Sequence, residues 1–362
     1  MTGTGLVVAL RADAGPTIGT GHAMRCLALG QAVHDVNGRA FLVTASAADT
    51  LLDRFAAEGI DVLGVAAAHP DRRDAAETTR HAEAIGASWI AVDGQHFDEA
   101  FHAAVGRERH RILAIDDMAR LPRYDVEAVL NQNAHADQLE YHTRLSTRRL
   151  FGTRYAVLRR EFAATAGTGR DIPERGRRLL VTFGGSDPSG MTVRTIEALA
   201  AAARARPGAV DGLEIRVVVG GSNPSRSGIE RAIAETGLQV MLVADVRDMT
   251  EPMRWADLAI TAGGSTIWEL AALGTPAIVV ETAPPERFLV AGLRTLGLYH
   301  SLGNEADLDP ADLADEVTLR LADRQWRRTM SERGRSVVDG RGGQRVVAAL
   351  VASMEVDGQP GG

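Results

Sequence analysis

Residues 6–36 read LVVALRADAGPTIGTGHAMRCLALGQAVHDV, and this stretch predicts the fold of the first half of the chain. It begins with a short apolar run typical of a buried strand. It then passes through a glycine-containing loop and continues with the apolar spacing of a helix. Strand, loop and helix in this order form the repeating unit of a parallel α/β sheet.

The same alternation continues along the chain. It pauses at AATAGTGRDIPERGRR, residues 163–178, which is rich in glycine, proline and charge and which we predict to be a linker. It restarts with RLLVTFGG at 178–185 and runs on to mostly helical sequence over 310–353.

A chain of 362 residues exceeds the usual size of a single core. We therefore predict an α/β protein with two Rossmann-like, doubly wound parallel-sheet lobes that face a cleft. The N-terminal lobe, residues 1–162, is expected to carry the catalytic and acceptor side. The C-terminal lobe, residues 179–362, is expected to bind a nucleotide, and its last helix is free to pack back on the first lobe.

Composition excludes several classes of protein. Hydrophobic residues make up 45% of the chain, which argues against disorder. The net charge is −7 and no basic run is present, so we expect no nucleic-acid partner. The single cysteine, Cys26, permits no internal disulfide. Short apolar runs and the lack of a signal-peptide pattern predict no membrane span and a cytoplasmic location. The oligomeric state stays open.

Three glycine loops follow predicted strands, where parallel sheets bind their ligands. In the first loop, Gly19, Thr20 and Gly21 precede a helix, and His22 lies at its start. Backbone amides at such a helix start bind anions, and a neutral His there can act as a general base. The alternative is a capping turn with a structural histidine. No GxGxxG is present, so a dinucleotide is not expected.

The other two loops belong to the second lobe. Gly184, Gly185 and Ser186 suit a diphosphate, although the same turn can be a helix cap formed by Asp187 or Ser189. The third loop, residues 263–266, contains Gly263, Gly264, Ser265 and Thr266 and leads into a helix whose first turn contains Glu269. A carboxylate there can bind ribose hydroxyls or merely complement the helix dipole.

Acidic residues end two predicted strands: Asp93 in one, and Asp116 and Asp117 in the other. They either point into the cleft or cap the following turns. Adjacent side chains on a strand diverge, and the histidines lack metal-ligand spacing. We therefore predict no metal and no cofactor.

Together these motifs resemble a known family. The pattern RADxxxxIGTGHxMRCLxL from Arg11 to Leu29 looks like the opening of the nucleotide-sugar hydrolases of pseudaminic acid biosynthesis, the UDP-2,4-diacetamido-2,4,6-trideoxy-altropyranose hydrolases. The resemblance continues, in order, through AVDGQHFD, IDDMAR, LNQNA, LFGTRYAVLRREF, VTFGGSDPSG, MRWADLAITAGGSTIWELAALGTPAIVV and DGRGGQRV.

The resemblance implies a glycosyltransferase-B fold and inverting cleavage of the anomeric C–O bond of a UDP-sugar by water. It places the water-activating histidine on His22 and the nucleotide contacts on the second-lobe loops. Two positions depart from the family. Gln95, followed by His96, stands where the family has a Tyr, and Pro285 and Glu286 stand where it has an Asn-Gln pair.

We accordingly predict a nucleotide-sugar hydrolase. An inverting glycosyltransferase with a small-molecule or glycan acceptor is the alternative, and a non-catalytic nucleotide-sugar binder is the second alternative. The predicted catalytic residues are His22, Gln95 and Asp93. The predicted substrate-binding residues are Gly19, Thr20, Gly21, Arg25, Gly184, Gly185, Ser186, Gly220, Gly263, Gly264, Ser265, Thr266, Glu269 and Glu286.

Overall fold

The structure is a computed structural model that describes residues 5–15, 18–106, 110–221, 223–283 and 286–357, without the side chains of residues 288, 356 and 357. The chain divides into two compact units. One comprises Met1–Arg160 with Gly340–Gly362, and the other comprises Glu161–Asp339.

The first unit is built on a seven-stranded parallel sheet in the order β3-β2-β1-β4-β5-β6-β7. Its strands are β1 Val7–Ala12, β2 Arg39–Thr44, β3 Asp61–Gly64, β4 Trp89–Asp93, β5 Arg111–Ile115, β6 Ala128–Asn131 and β7 Arg148–Phe151. Its helices are α1 Gly21–His34, α2 Asp49–Ala57, α3 Arg72–Ile85, α4 Glu99–Val105 and α13 Gly342–Asp357, and α5 Arg160–Thr165 begins where this unit ends.

The sheet of the first unit is covered on both faces. Every residue of β1 is buried, as expected of a central parallel strand. Val8 and Leu10 pack into the core on one face, and Val7 and Ala9 pack into the core on the other. This alternation follows from the two-residue period of a strand.

The second unit contains a six-stranded parallel sheet in the order β10-β9-β8-β11-β12-β13. Its strands are β8 Arg178–Thr182, β9 Glu214–Val219, β10 Gln239–Ala244, β11 Leu258–Ala262, β12 Ala277–Glu281 and β13 His300–Asn304. Its helices are α6 Met191–Ala205, α7 Arg226–Thr236, α8 Thr250–Trp255, α9 Thr266–Leu273, α10 Glu286–Leu296, α11 Pro310–Ala322 and α12 Arg324–Val337.

The boundaries of the units differ from the predicted ones. The predicted linker, residues 163–178, begins inside α5, ends at the start of β8 and lies in the second unit. The N–H of Gly176 within it donates to the carbonyl oxygen of Leu321 at 2.8 Å. Helix α13 belongs to the first unit, because Val346, Val347 and Leu350 are buried in the core that also contains α1.

Candidate functional site

The first candidate site lies at the carboxyl edge of the first sheet, where β1 and β4 are neighbours. Strand order reverses here, since the chain runs outward through β2 and β3 and then returns to the other side of β1. The register pairs Ala12 with Asp93, so the loops after both strands start side by side. Such a reversal point is where open α/β sheets bind ligands.

His22 and Asp93 form a hydrogen-bonded pair at this point. Helix α1 begins at Gly21, and Nδ1 of His22 lies 2.7 Å from Oδ1 of Asp93. A carboxylate only accepts, so Nδ1 carries the proton and Nε2 of the neutral ring is left as a base. Within the described ranges Nε2 has no hydrogen bond, and the side chain is 18% exposed.

Arg25 bridges Asp93 to Asp117. Its Nε and Nη2 donate to the two oxygens of Asp93 at 2.7 Å each. Nη1 donates to Oδ1 of Asp117 at 2.9 Å, and that carboxylate also accepts from Asn133 at 2.7 Å. Two carboxylates and one guanidinium leave this cluster with one net negative charge beside His22.

The charges of the cluster determine how Asp93 ionises. Burial by itself raises the pKa of the Asp93 carboxyl, but the positive charge of Arg25, with His22, outweighs burial and lowers that pKa to about 2. The pKa of Asp117 is lowered in the same way, because Arg25 outweighs the effect of burial. Asp93 is therefore a permanent anion at neutral pH.

This geometry changes the role expected of Arg25. We predicted a substrate contact, but the side chain is 7% exposed and its guanidinium is held by two carboxylates inside the protein. A substrate contact does not fit that arrangement, and Arg25 instead supports the pair of His22 and Asp93. Asp117 was considered as a cleft residue because it follows the acidic end of a predicted strand, whereas Asn133, which follows β6, was not among the predicted site residues.

The glycine loop before α1 folds back on itself. Gly15 and Gly19 exchange two backbone hydrogen bonds, and Gly19 has φ of +76°, a conformation suited to glycine. Thr20 is the N-cap residue of α1 and is exposed, and its side chain makes no capping hydrogen bond. The N-terminal amides of α1 thus lie at the same edge as His22, as an anion site requires.

A recess of about 10 Å³ lies beside His22. Gly94, Gln95, Asp116 and Arg120 are among the residues that line it. Gln95 is exposed, and in the described part of the chain it has no hydrogen bond to His22 or Asp93, so its catalytic role stays a prediction. Asp116 caps its own turn, and Oδ1 accepts from the N–H groups of residues 118 and 119 at 2.7 Å each.

A second arginine-bridged cluster lies at the same edge and was not predicted. Arg11, at the end of β1, is fully buried and binds Asp13 and Asp74, both at 2.6 Å. His96, in the loop after β4, places Nε2 at 3.1 Å from Oδ2 of Asp13. Burial raises the pKa of the Asp13 carboxyl, but hydrogen bonds from His96 and Arg11 hold it well below its ordinary value.

In the second unit, the loops after β8 and β11 meet at an equivalent reversal of strand order. The carbonyl oxygen of Gly185 accepts from the N–H of Gly220 and from Nδ2 of Asn223, both at 3.0 Å. Asp187 caps α6, since its carboxylate accepts from the N–H groups of residues 191 and 192. The helix-cap alternative therefore holds for Asp187, while Gly184 and Ser186 remain candidates for a diphosphate.

The loop at residues 263–266 leads into α9. Ser265 is the N-cap residue, and its side chain makes no capping hydrogen bond. Glu269 lies in the first turn and is half-buried. This arrangement leaves the start of α9 suited to an anion, with a carboxylate one turn away.

Glu286 does not have the open position that a substrate contact requires. Its carboxylate accepts from the N–H of Thr282 at 2.7 Å and from the N–H of Gly263. Burial raises its pKa, and these backbone hydrogen bonds only partly oppose that effect. Glu286 thus ties the loops after β11 and β12 together. Pro285, the other departure from the family pattern, lies outside the described residues.

The described ranges contain no group of three or more His, Cys, Asp or Glu side chains arranged to hold a metal ion. They also contain no helix that is long and apolar enough to cross a membrane. Cys26 is a buried free thiol, and burial raises its pKa well above the ordinary value.

The second unit contains a segment similar to a known domain family. Residues 179–283 match the glycosyltransferase family 28 C-terminal domain. That segment contains the glycine loops after β8, β9 and β11 together with Glu269, and it ends before Glu286. A match to a glycosyltransferase domain indicates that the chain is an enzyme, as predicted.

The chain is 28% identical over 205 residues to the spore coat polysaccharide biosynthesis protein SpsG of Bacillus subtilis. The alignment covers 57% of this chain and 58% of SpsG, so the chain spans little more than half the length of that relative.

Solved structures confirm the predicted fold. Acinetobacter baumannii MurG is similar with a TM-score of 0.64 and 15% identity, over 95% of this chain and 99% of MurG. Anabaena HepE in complex with UDP-glucose is similar with a TM-score of 0.62 and 14% identity, over 96% of this chain and all of HepE, at 100%. The chain therefore has the two parallel-sheet α/β lobes of the glycosyltransferase-B fold. The comparisons favour a glycosyltransferase, our alternative prediction, over the hydrolase.

Proposed function

We propose that this enzyme transfers a sugar, with inversion, from a nucleoside diphosphate donor to a hydroxyl- or amine-bearing acceptor. The observation that carries the proposal is the pair of His22 and Asp93 at the reversal point of the first sheet, 2.7 Å apart. A base held by an anion at a ligand-binding edge suits removal of a proton from an acceptor.

The bond changes follow from the tautomer of His22. Nε2 takes the proton of the acceptor as the acceptor oxygen or nitrogen forms a bond to the anomeric carbon. The bond from that carbon to the diphosphate oxygen breaks, and its electrons leave with the nucleoside diphosphate. Before transfer, the cluster of Asp93, Arg25 and Asp117 has one net negative charge, which the new imidazolium neutralises. This charge balance stabilises the product of proton transfer.

The second unit supports a nucleotide donor. Its glycine loops lie in the segment that matches a glycosyltransferase domain, and the start of α9 suits a phosphate group. HepE, a structural neighbour, binds UDP-glucose. We assign the diphosphate to the loops at residues 184–186 and 263–266, and the ribose to Glu269.

Hydrolysis is a second candidate, because one observation favours it. The recess beside His22, about 10 Å³ in volume, is close to the smallest space that holds one water molecule. A water there would lose its proton to His22, and the same C–O bond would break. The sugar would then be released free.

The test is nucleotide release from a panel of UDP-, CMP-, GDP- and dTDP-sugars, with and without a mixture of sugar and amine acceptors. Transfer predicts release that rises sharply with an acceptor and a product in which the sugar is linked with inverted configuration. Rapid release without any acceptor would favour the hydrolase. Release from none of the donors under either condition would refute both functions.

A further inference from the structure

Two histidine–carboxylate pairs cross each other at the edge formed by β1 and β4. His22 comes from the segment after β1 and binds Asp93 at the end of β4. His96 comes from the loop after β4 and binds Asp13, the residue after β1. Because Ala12 pairs with Asp93 in the sheet, the two carboxylates start from neighbouring backbone positions. Both pairs therefore belong to one ligand-binding edge.

The two pairs share the same electrostatic support. Each carboxylate is bound by a buried arginine that also binds a second carboxylate: Asp74 for Arg11 and Asp117 for Arg25. Asp13 is an anion that only accepts, so Nε2 of His96 carries the proton. Nδ1 of the neutral ring is then an acceptor, as Nε2 is in His22.

The position of His96 leaves Nδ1 available to a ligand. The side chain is 25% exposed, and the residues that the structure describes give Nδ1 no hydrogen bond. A Cβ atom on Gly94 would lie only 3.0 Å from Nδ1 and 2.7 Å from Cε1 of His96. Gly94 also lines the recess beside His22, so His96 approaches a residue that borders the proposed reaction centre.

The ring of His96 is held in place from its other sides. It packs against Phe97 with ring centroids 4.0 Å apart, and His69 approaches with centroids 6.5 Å apart. The guanidinium of Arg11 lies over Phe97 at 4.8 Å. A fixed, partly exposed acceptor at a ligand-binding edge is typical of a residue that selects a substrate.

We propose that Nδ1 of His96, held by Asp13, accepts a hydrogen bond from a hydroxyl or N–H group of a sugar substrate. The inference rests on the proposed function, because it needs a sugar beside His22. The sugar is either the one on the donor or the one that accepts the transfer, since both meet at the reaction centre. His96 is thus a specificity residue, distinct in role from His22.

Two substitutions separate the ring nitrogens. In His96→Gln the side-chain amide reaches the position of Nε2, so the contact with Asp13 is kept and the acceptor at Nδ1 is lost. In His96→Asn the amide oxygen stands near Nδ1, and the contact with Asp13 is lost. His142→Gln, at an exposed histidine of the same unit, is the matched control. Melting temperatures establish that each variant folds.

Calorimetry compares the donor sugar nucleotide selected by the panel, or UDP-N-acetylglucosamine, with the free nucleotide. We expect His96→Gln either to bind the sugar nucleotide about ten-fold more weakly than the wild type does or to raise KM for the acceptor by the same factor. This factor is the usual scale of one hydrogen bond. His96→Asn should retain part of that affinity, and both variants should bind the free nucleotide as the wild type does.

A lower calorimetric affinity for the sugar nucleotide would assign the contact to the donor sugar. A higher KM for the acceptor, with that affinity unchanged, would assign the contact to the acceptor. If His96→Gln binds the sugar nucleotide as tightly as the wild type does and its KM for the acceptor is unchanged, the inference is overturned, while the proposed function stays intact. A wild-type protein that binds neither nucleotide nor sugar nucleotide would instead refute the proposed function, and this inference with it.

Discussion

Arg11 and Arg25 are buried arginines of the first unit that each join two carboxylates and support a histidine, but they lie at different depths. Arg11 and both of its carboxylates are almost completely buried, and Asp74 ties the cluster to α3. The Arg25 cluster ends at Asp117, whose side chain is 22% exposed. The same charge arrangement therefore holds the fold together in one place and supports a proposed base in the other.

The largest effect should come from Arg11→Met. Removal of the guanidinium leaves Asp13 and Asp74 as buried carboxylates without their cation, which typically costs roughly 3–5 kcal/mol. We expect the free energy of unfolding, measured by urea denaturation at pH 7, to fall by that amount. Arg73→Met, at an arginine that is 72% exposed, should change it little. Equal stability of the two variants would show that the Arg11 cluster is not a structural tie.

His22→Ala tests the other cluster. We expect turnover to fall by about 100-fold or more, the usual scale for loss of a general base, while nucleotide binding persists. Steady-state nucleotide release and calorimetry with the free nucleotide measure the two quantities, with His142→Ala as the control. Unchanged turnover would remove His22 from the mechanism and leave the Arg25 cluster without a catalytic purpose.

The smallest effect concerns acid stability. The pKa of Asp93 is about 2 in the folded chain, against about 3.9 for an unperturbed carboxyl. The unfolded state therefore binds the proton first, so the stability that Asp93 contributes is present above about pH 4 and is lost as the pH falls toward 2. This contribution amounts to about 2–3 kcal/mol.

Urea denaturation between pH 5 and pH 2.5 measures this dependence. Asp93→Asn removes the titrating group, so its free energy of unfolding should fall less steeply with decreasing pH than that of the wild type. Parallel slopes for the two proteins would contradict the charge coupling between Asp93 and Arg25.

Much of the fold was predictable, because strand and helix periods are local properties. The predicted order of strand, loop and helix over residues 6–36 matches β1 and α1, and the predicted restart at residue 178 coincides with the start of β8. The glycine loops also lie after strands, as expected. The linker 163–178 stays a prediction: glycine and proline report local backbone preference, whereas the hydrogen bond of Gly176 to Leu321 joins residues far apart in sequence.

The candidate site was predictable only in part. His22 and Asp93 were both named as catalytic, but no local pattern indicates that they bind each other, since 71 residues separate them. Arg25 was predicted to contact the substrate. Its two carboxylate partners come from the ends of β4 and β5, and only the folded sheet places them beside α1.

The sequence by itself determined two α/β lobes, the glycine loops after their strands and the histidine at the start of α1. These features depend on the period of apolar residues and on glycines next to strand ends, and both are properties of short segments of sequence. Only the tertiary structure decided which acid meets which histidine. Because strand order reverses, β1 and β4 are neighbours in the sheet although β2 and β3 lie between them in the sequence. That adjacency produces the crossed pairs of His22 with Asp93 and His96 with Asp13.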